Sequence, residues 1–215
     1  MASRLKPRRT GALALAVAAA SFLGLATHAQ PAHATSLGLA CPNPTAQVFA
    51  PWGDWSNYAA APDGGFESGA SGWKLAGGAA VVRGSEPFAV TGPGAYALSL
   101  PAGSSATSPP MCVGVFSGKM RFFTVNGGRS SSRLRVQVIY GGGTGGLLGV
   151  VGSTLGVSDV GSIASGSQWQ PSSPVSMLGG TLPLLTQWVQ FRFTPADSSG
   201  AWRIDDVELD PLMYR

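Results

Sequence analysis

From Ala61 onward the apolar residues come in short runs that alternate with polar ones and are cut off by Gly, Ser or Pro, so no helical period is sustained. With 31 glycines and 16 prolines in 215 residues, such a chain can bury its apolar side chains only by pairing many short strands. The patterning predicts strands at Gly65 to Glu67, Gly72 to Leu75, Ala79 to Arg83, Ala95 to Leu100, Ala106 to Val113 and Lys119 to Val125. It predicts others at Arg133 to Tyr140, Leu147 to Thr154, Gly161 to Ser165, Gln187 to Thr194 and Ala201 to Leu209. Glycine is frequent enough in Leu147 to Thr154 and Gly161 to Ser165 for a loop to compete there, and Gly166 to Leu182, rich in Ser and Pro, reads as a long connection. Turn-rich spacing of this kind predicts an all-β fold, an antiparallel β-sandwich.

Three strands separate two faces by their alternation. Val189, Phe191 and Phe193 take one face of their strand and Trp188, Gln190 and Arg192 the other; Leu134, Val136 and Val138 alternate with Arg135 and Gln137, and Met120 and Phe122 with Arg121 and Phe123. If these strands share one sheet, its outer face carries Arg121, Phe123, Arg135, Gln137, Trp188, Gln190 and Arg192. Flat aromatic rings bury the C–H faces of neutral sugars while planar Arg and Gln groups take the hydroxyls, so the set is a candidate carbohydrate-binding face. The same pattern also describes a solvated face whose arginines stack over aromatic surface, or one covered by the long connection.

Residues 1–34 read as an export signal: Arg4, Lys6, Arg8 and Arg9 precede an apolar Gly11 to Leu25, and Ala32-His33-Ala34 supplies small residues for cleavage before Thr35. The expected product is secreted and extracellular. Four of the 14 basic residues leave with this segment, which balances the rest against the 10 acidic ones and removes any charge argument for nucleic acid. Both histidines, His28 and His33, leave too, excluding a histidine-dependent nucleophile or zinc site from the mature chain. No later apolar run reaches membrane-spanning length, so no stable membrane insertion is expected after cleavage. The expected organisation is a signal peptide at 1–34, an extended N-terminal segment at 35–60 and a sandwich domain at 61–215.

Cys41 and Cys112 are the only cysteines, and an even pair in an exported chain predicts one disulfide tethering the N-terminal segment, worth about 4 kcal/mol. Trp52-Gly-Asp-Trp55 reads as an aromatic plug over the core ahead of a ligand contact. Gly141, Gly143 and Gly146 match GxGxxG, but no helix signal or spaced acid follows, and a glycine-rich hairpin loop accounts for them. Asp205 and Asp206 sit side by side among apolar residues, a costly arrangement unless a cation or donors face them. As strand neighbours they should point to opposite faces, which does not set both across one scissile bond; the chain is expected not to be an enzyme.

Gly64-Gly-Phe-Glu-Ser-Gly69 with Gly72-Trp73, and the closing Trp202-Arg-Ile-Asp-Asp-Val-Glu-Leu209, resemble the two ends of the jelly-roll carbohydrate-binding modules of the galactose-binding-domain-like superfamily. The resemblance is confined to those ends. It implies a jelly-roll sandwich whose first and last strands are neighbours and share a structural calcium ion, Ca2+, with Glu67 and Asp205 or Asp206 as carboxylate ligands. It also implies a polysaccharide or cell-wall glycan as partner. Two further functions fit the sequence: a cell-envelope structural or protein-interaction domain, and a glycan-active hydrolase or lyase.

Overall fold

A computed structural model describes residues 44–113, 118–141, 156–177 and 187–210, all within the compact unit Thr35–Arg215. The strands are β1 (Ala59–Ala60), β2 (Lys74–Ala76), β3 (Ala80–Arg83), β4 (Tyr96–Pro101), β5 (Ser105–Thr107), β6 (Met111–Val113) and β7 (Lys119–Asn126). They continue with β8 (Leu134–Tyr140), β9 (Gly156–Ile163), β10 (Gln170–Pro171), β11 (Val175–Ser176), β12 (Gln187–Pro195) and β13 (Ala201–Asp210). The only described helical turn is a 3-10 turn at Ala50–Trp52.

All pairings are antiparallel, and they build two sheets. The first runs β10-β7-β13-β4-β3, with β1 also on β13 and β11 on β7; the second runs β2-β5-β12-β8-β9, with β6 on β12. The chain passes back and forth between the sheets, at β1–β2, β2–β3, β4–β5, β6–β7, β7–β8, β9–β10, β11–β12 and β12–β13, which makes a sandwich of jelly-roll type. Alternation does what it predicts for the core. Phe122, Leu98, Leu100, Trp202 and Ile204 from the first sheet meet Leu134, Val136, Val138, Phe191 and Phe193 from the second, all shielded from water. Each such side chain contributes about 1.5–3 kcal/mol by burial. The indole N–H of Trp202 is satisfied by Ser132 Oγ at 3.1 Å.

The first and last motifs do meet. Ala59 and Ala60 pair with Leu209 and Glu208, and Gly64 lies so close to β13 that a Cβ there would come 2.8 Å from the Val207 carbonyl oxygen. Gly65 to Glu67, however, is not a strand. Asp63 and Phe66 adopt positive φ of 48° and 59°, so the segment folds into consecutive tight turns that push the Phe66 ring into the core against Trp73. Gly166 to Leu182 is likewise not only a connection, because β10 and β11 within it pair with β7. Ala106 to Val113 is split around Ser108-Pro109-Pro110 into β5 and β6. β9 begins earlier than expected, at Gly156, and Leu147 to Thr154 lies outside the described residues, as do the export signal and Gly143 and Gly146.

Residues 44–58 lie on the outer face of the first sheet, joined to themselves by an Ala46–Tyr58 bridge. Cys41 is outside the described residues; Cys112, on β6, is not a free thiol. A Cys41–Cys112 disulfide predicts that neither cysteine is alkylated by iodoacetamide in denaturant until reductant is added. Labelling of both without reductant, read by mass spectrometry, would remove the tether.

Candidate functional site

The structure divides the predicted outer face between the two sheets. β7 pairs with β13, not with β8 or β12, so Arg121 and Phe123 belong to the first sheet and turn away from the other five residues. Both are buried. Phe123 is packed by Phe49, Trp52 and Phe88, with ring centroids 5.5, 5.2 and 5.2 Å away. Arg121 lies over Phe49, 4.5 Å from the ring centroid, donates from Nε to the Ser172 carbonyl at 2.9 Å, and pairs through Nη1 with Asp54 at 3.1 Å. Asp54 also accepts from Tyr58 Oη at 2.7 Å and Lys119 Nζ at 3.1 Å. Burial alone would push the Asp54 carboxyl up, but the Tyr58 hydroxyl and Lys119 ammonium hold it well below the usual carboxylate range. Arg121 and Phe123 therefore fasten the N-terminal segment and are not a ligand surface. Trp52 is part of that plug, as the sequence suggested, whereas Trp55 is 68% exposed.

On the second sheet the remaining five are neighbours. Arg192 sits opposite Gln137, and Thr194 opposite Arg135, in the β12–β8 register, with Trp188 two positions before Gln190 on the same face. Trp188 is 37% exposed, one of the few large apolar side chains so presented. Its strand lies in the middle of the sheet, which fixes the ring's backbone. The polar groups around it are partly engaged: Arg135 forks onto Asp159 at 2.7 and 2.5 Å, Gln190 Nε2 donates to the Ser108 carbonyl at 2.8 Å, and Arg192 Nε points to Thr107 Oγ1 at 3.4 Å. They form a rigid polar frame beside an exposed indole.

The paired acids are placed by a bulge that alternation could not foresee. Asp205 opposes Phe123 and Glu208 opposes Arg121, so β13 carries one residue more than β7 there, and Asp206 takes up the excess with φ of 42°. Instead of diverging, both aspartates line one recess of about 80 Å3 together with Gly65, Glu67, Ser85 and Thr91. Asp205 Oδ2 accepts from Ser85 Oγ at 2.8 Å and from the Glu86 N–H at 3.0 Å. Asp206 Oδ1 accepts from Thr91 Oγ1 at 2.7 Å, and Glu67 Oε1 from the N–H groups of Ala95 and Tyr96 at 2.8 and 2.9 Å. Glu86, buried beside them, accepts from the Phe88 N–H.

Among the described residues no lysine or arginine forms an ion pair with this group, the ion pairs being at Asp54 and Asp159. Burial pushes Asp205 up to about 6 against its hydrogen-bond donors. Burial, and then the neighbouring Asp205 and Glu86 carboxylates, push Asp206 up against the Thr91 hydroxyl. Glu208, the next acid along β13, is driven up to about 8 by burial and by Asp206. Glu86, Ser85 and Thr91 escaped the sequence reading because they lie between β3 and β4 in a segment without periodicity, and only folding sets them against β13.

No family model matches the chain, and no curated protein matches it. Among solved structures, the CBM22-1 xylan-binding domain of Paenibacillus barcinonensis Xyn10C is 14% identical with a TM-score of 0.47, over 70% of this chain and 93% of that one. TmCBM61, solved with β-1,4-galactotriose, is 16% identical with a TM-score of 0.43, over 68% and 94%. The enzymatically active domain of bacteriophage CBA120 tailspike protein 4 is 15% identical with a TM-score of 0.46, over 70% and 21%. Likenesses this remote assign no residue a role.

Proposed function

We propose that this chain is a non-catalytic glycan-binding module that holds a polysaccharide or cell-wall glycan against the outer face of its second sheet. The observation that carries this reading is Trp188, an exposed indole on a central strand framed by Gln190, Arg192, Gln137 and Arg135. A pyranose stacks its C–H face on the ring while the amide and guanidinium edges meet its hydroxyls. The frame is already held by Asp159, Ser108 and Thr107, so little side-chain entropy is lost on binding. The buried aspartates of β13 are committed to internal hydrogen bonds, which supports binding without hydrolysis. Xylan and β-1,4-galactan are the first polysaccharides to test by affinity electrophoresis and calorimetry. Trp188→Ala is expected to weaken whichever binds at least tenfold, about 1.4 kcal/mol; unchanged affinity in a folded variant would remove this face from the function.

The second part of the proposal is a structural calcium ion at the acidic recess. Among the described residues no three His, Cys, Asp or Glu groups already converge as a finished metal shell does. Glu67 is turned onto main-chain N–H groups. The donor set nevertheless suits a hard divalent cation: several buried carboxylates, all-oxygen chemistry and no facing ammonium or guanidinium. Glycine at 65 and 94 leaves room, since a Cβ at either would come 3.1 Å from Asp206 Oδ1 or Glu67 Oε1. Asp205, Asp206 and Glu67 would hold the ion, which would neutralise their charge and join the first motif to the last strand.

A further inference from the structure

The outer face of the first sheet is covered by the N-terminal segment at one end only. At the other end lies an open groove of about 400 Å3 that includes Trp169, Gln168, Ser167, Val125, Arg203 and Ser99 in its walls and floor. Its floor is a single row across adjacent strands, because Arg203 on β13 stands between Val125 on β7 and Ser99 on β4. The β10–β7 register, Gln170 opposite Thr124, brings Trp169 beside Val125 at the end of that row. Trp169 packs on its far side against the Phe49, Tyr58 and Phe123 cluster, so the indole is a braced wall and not a swinging side chain.

Among the described residues, the polar side chains here have no partner of the kind that holds those around Trp188. Among the described residues, the Arg203 guanidinium takes part in none of the ion pairs, and it is the one charged side chain lining the groove. Gly84 makes room for it, since a Cβ there would come 3.3 Å from Arg203 Nη1. Arg203, Trp169, Ser99 and Ser167 share one lining, and a planar cation, an aromatic face and hydroxyls in one groove suit a ring that carries both C–H faces and a carboxylate. We propose that this groove is a second binding site, for a uronic-acid residue of an acidic polysaccharide. Trp169 stacks on the sugar ring, Arg203 pairs with its carboxylate, and Gln168, Ser167 and Ser99 meet its hydroxyls. This site and the Trp188 face lie on opposite outer faces of the sandwich, so one module engages a neutral and an acidic chain at once.

The test is calorimetric titration of residues 35–215 with oligogalacturonate, oligoglucuronate and oligomannuronate, each beside its carboxyl-reduced counterpart. One oligouronate is expected to bind, to weaken as salt rises, and to lose at least tenfold in affinity on carboxyl reduction. Arg203→Gln, at an exposed position where folding is not at stake, is expected to cost the same tenfold. Trp169→Phe should weaken binding and Trp188→Ala should leave it unchanged. Absence of binding by all three, equal binding of the reduced forms, or indifference to Arg203→Gln would overturn the proposal. Poly-glutamate binding as tightly as any oligouronate would also overturn it, reassigning the groove to acidic peptides. Loss of uronate binding in Trp188→Ala alone would assign both ligands to the other face.

Discussion

In calcium-free buffer, residues 35–215 will melt at progressively lower temperature as the pH is raised from about 5 to about 8, and calcium will restore the loss most strongly at the alkaline end. The sign follows from the direction of the shifts. Asp205, raised to about 6, and Glu208, raised to about 8, with Asp206 raised between the same neighbours, bind protons more tightly folded than unfolded. Their penalty is absent below the unfolded carboxylate range and grows as pH climbs through the folded values. Asp205 and Asp206 are faced by Glu86 and Glu67 and by the hydroxyls of Ser85 and Thr91, while Glu208 lies opposite Arg121, whose guanidinium is paired with Asp54. A bound divalent ion reverses that balance, and at a hundredfold excess over its Kd contributes about 2.7 kcal/mol, a rise of roughly 5–10 °C for a domain of this size. Differential scanning fluorimetry across pH, with chelator and with calcium, measures both effects. A melting temperature indifferent to calcium at every pH would leave the recess as a purely protonic cluster, and the Asp205→Asn variant should then reduce the pH slope while leaving the share that Glu208 contributes.

The second large effect is expected at Asp54. Its carboxylate is the shared anchor for Arg121, Lys119 and Tyr58, and the Arg121 side chain is only 8% accessible. Asp54→Ala leaves that guanidinium buried without its counter-charge, an effect of about 3–5 kcal/mol, read as a lowered urea midpoint. The same variant should open the 44–58 segment to proteolysis, since the Asp54 interactions are the polar part of what ties it to β7. Because the Asp54 carboxyl is held below its ordinary value, its contribution is present above the unfolded carboxylate range and is lost as the protein is acidified through the folded value. This is opposite in sign to the recess. A bell-shaped pH profile for the calcium-free protein should therefore lose its acidic limb in Asp54→Ala and keep its alkaline one. An Asp54→Ala protein within about 0.5 kcal/mol of the parent would show that the ring packing of Phe49 and Phe123 holds the segment without it.

Arg121 and Phe123 show how far alternation reaches. The period of two correctly sets Met120 and Phe122 into the core and Arg121 and Phe123 outside it, but it does not say which sheet the strand joins. Asp205 and Asp206 show the complementary gap. Their adjacency marked a charge problem in the sequence, yet the bulge that turns both into one recess depends on the β13–β7 register and on Glu86 arriving from the β3–β4 segment. Trp169 was hidden for a similar reason, since its place in a Ser-rich stretch reads as connection until β10 pairs with β7.

The sequence by itself determined the strand-rich sandwich, the inward and outward sides of β7, β8 and β12, and the grouping of Trp188, Gln190 and Arg192. These follow from local chemistry: side-chain alternation, turn residues and the need to bury apolar area. The tertiary structure alone decided which strands share a sheet, that residues 44–58 cover part of one outer face, and that the acids converge while the Trp169 groove stays open. Those outcomes depend on partners distant along the chain, and the period of two that orients a strand is the same whichever neighbour it pairs with.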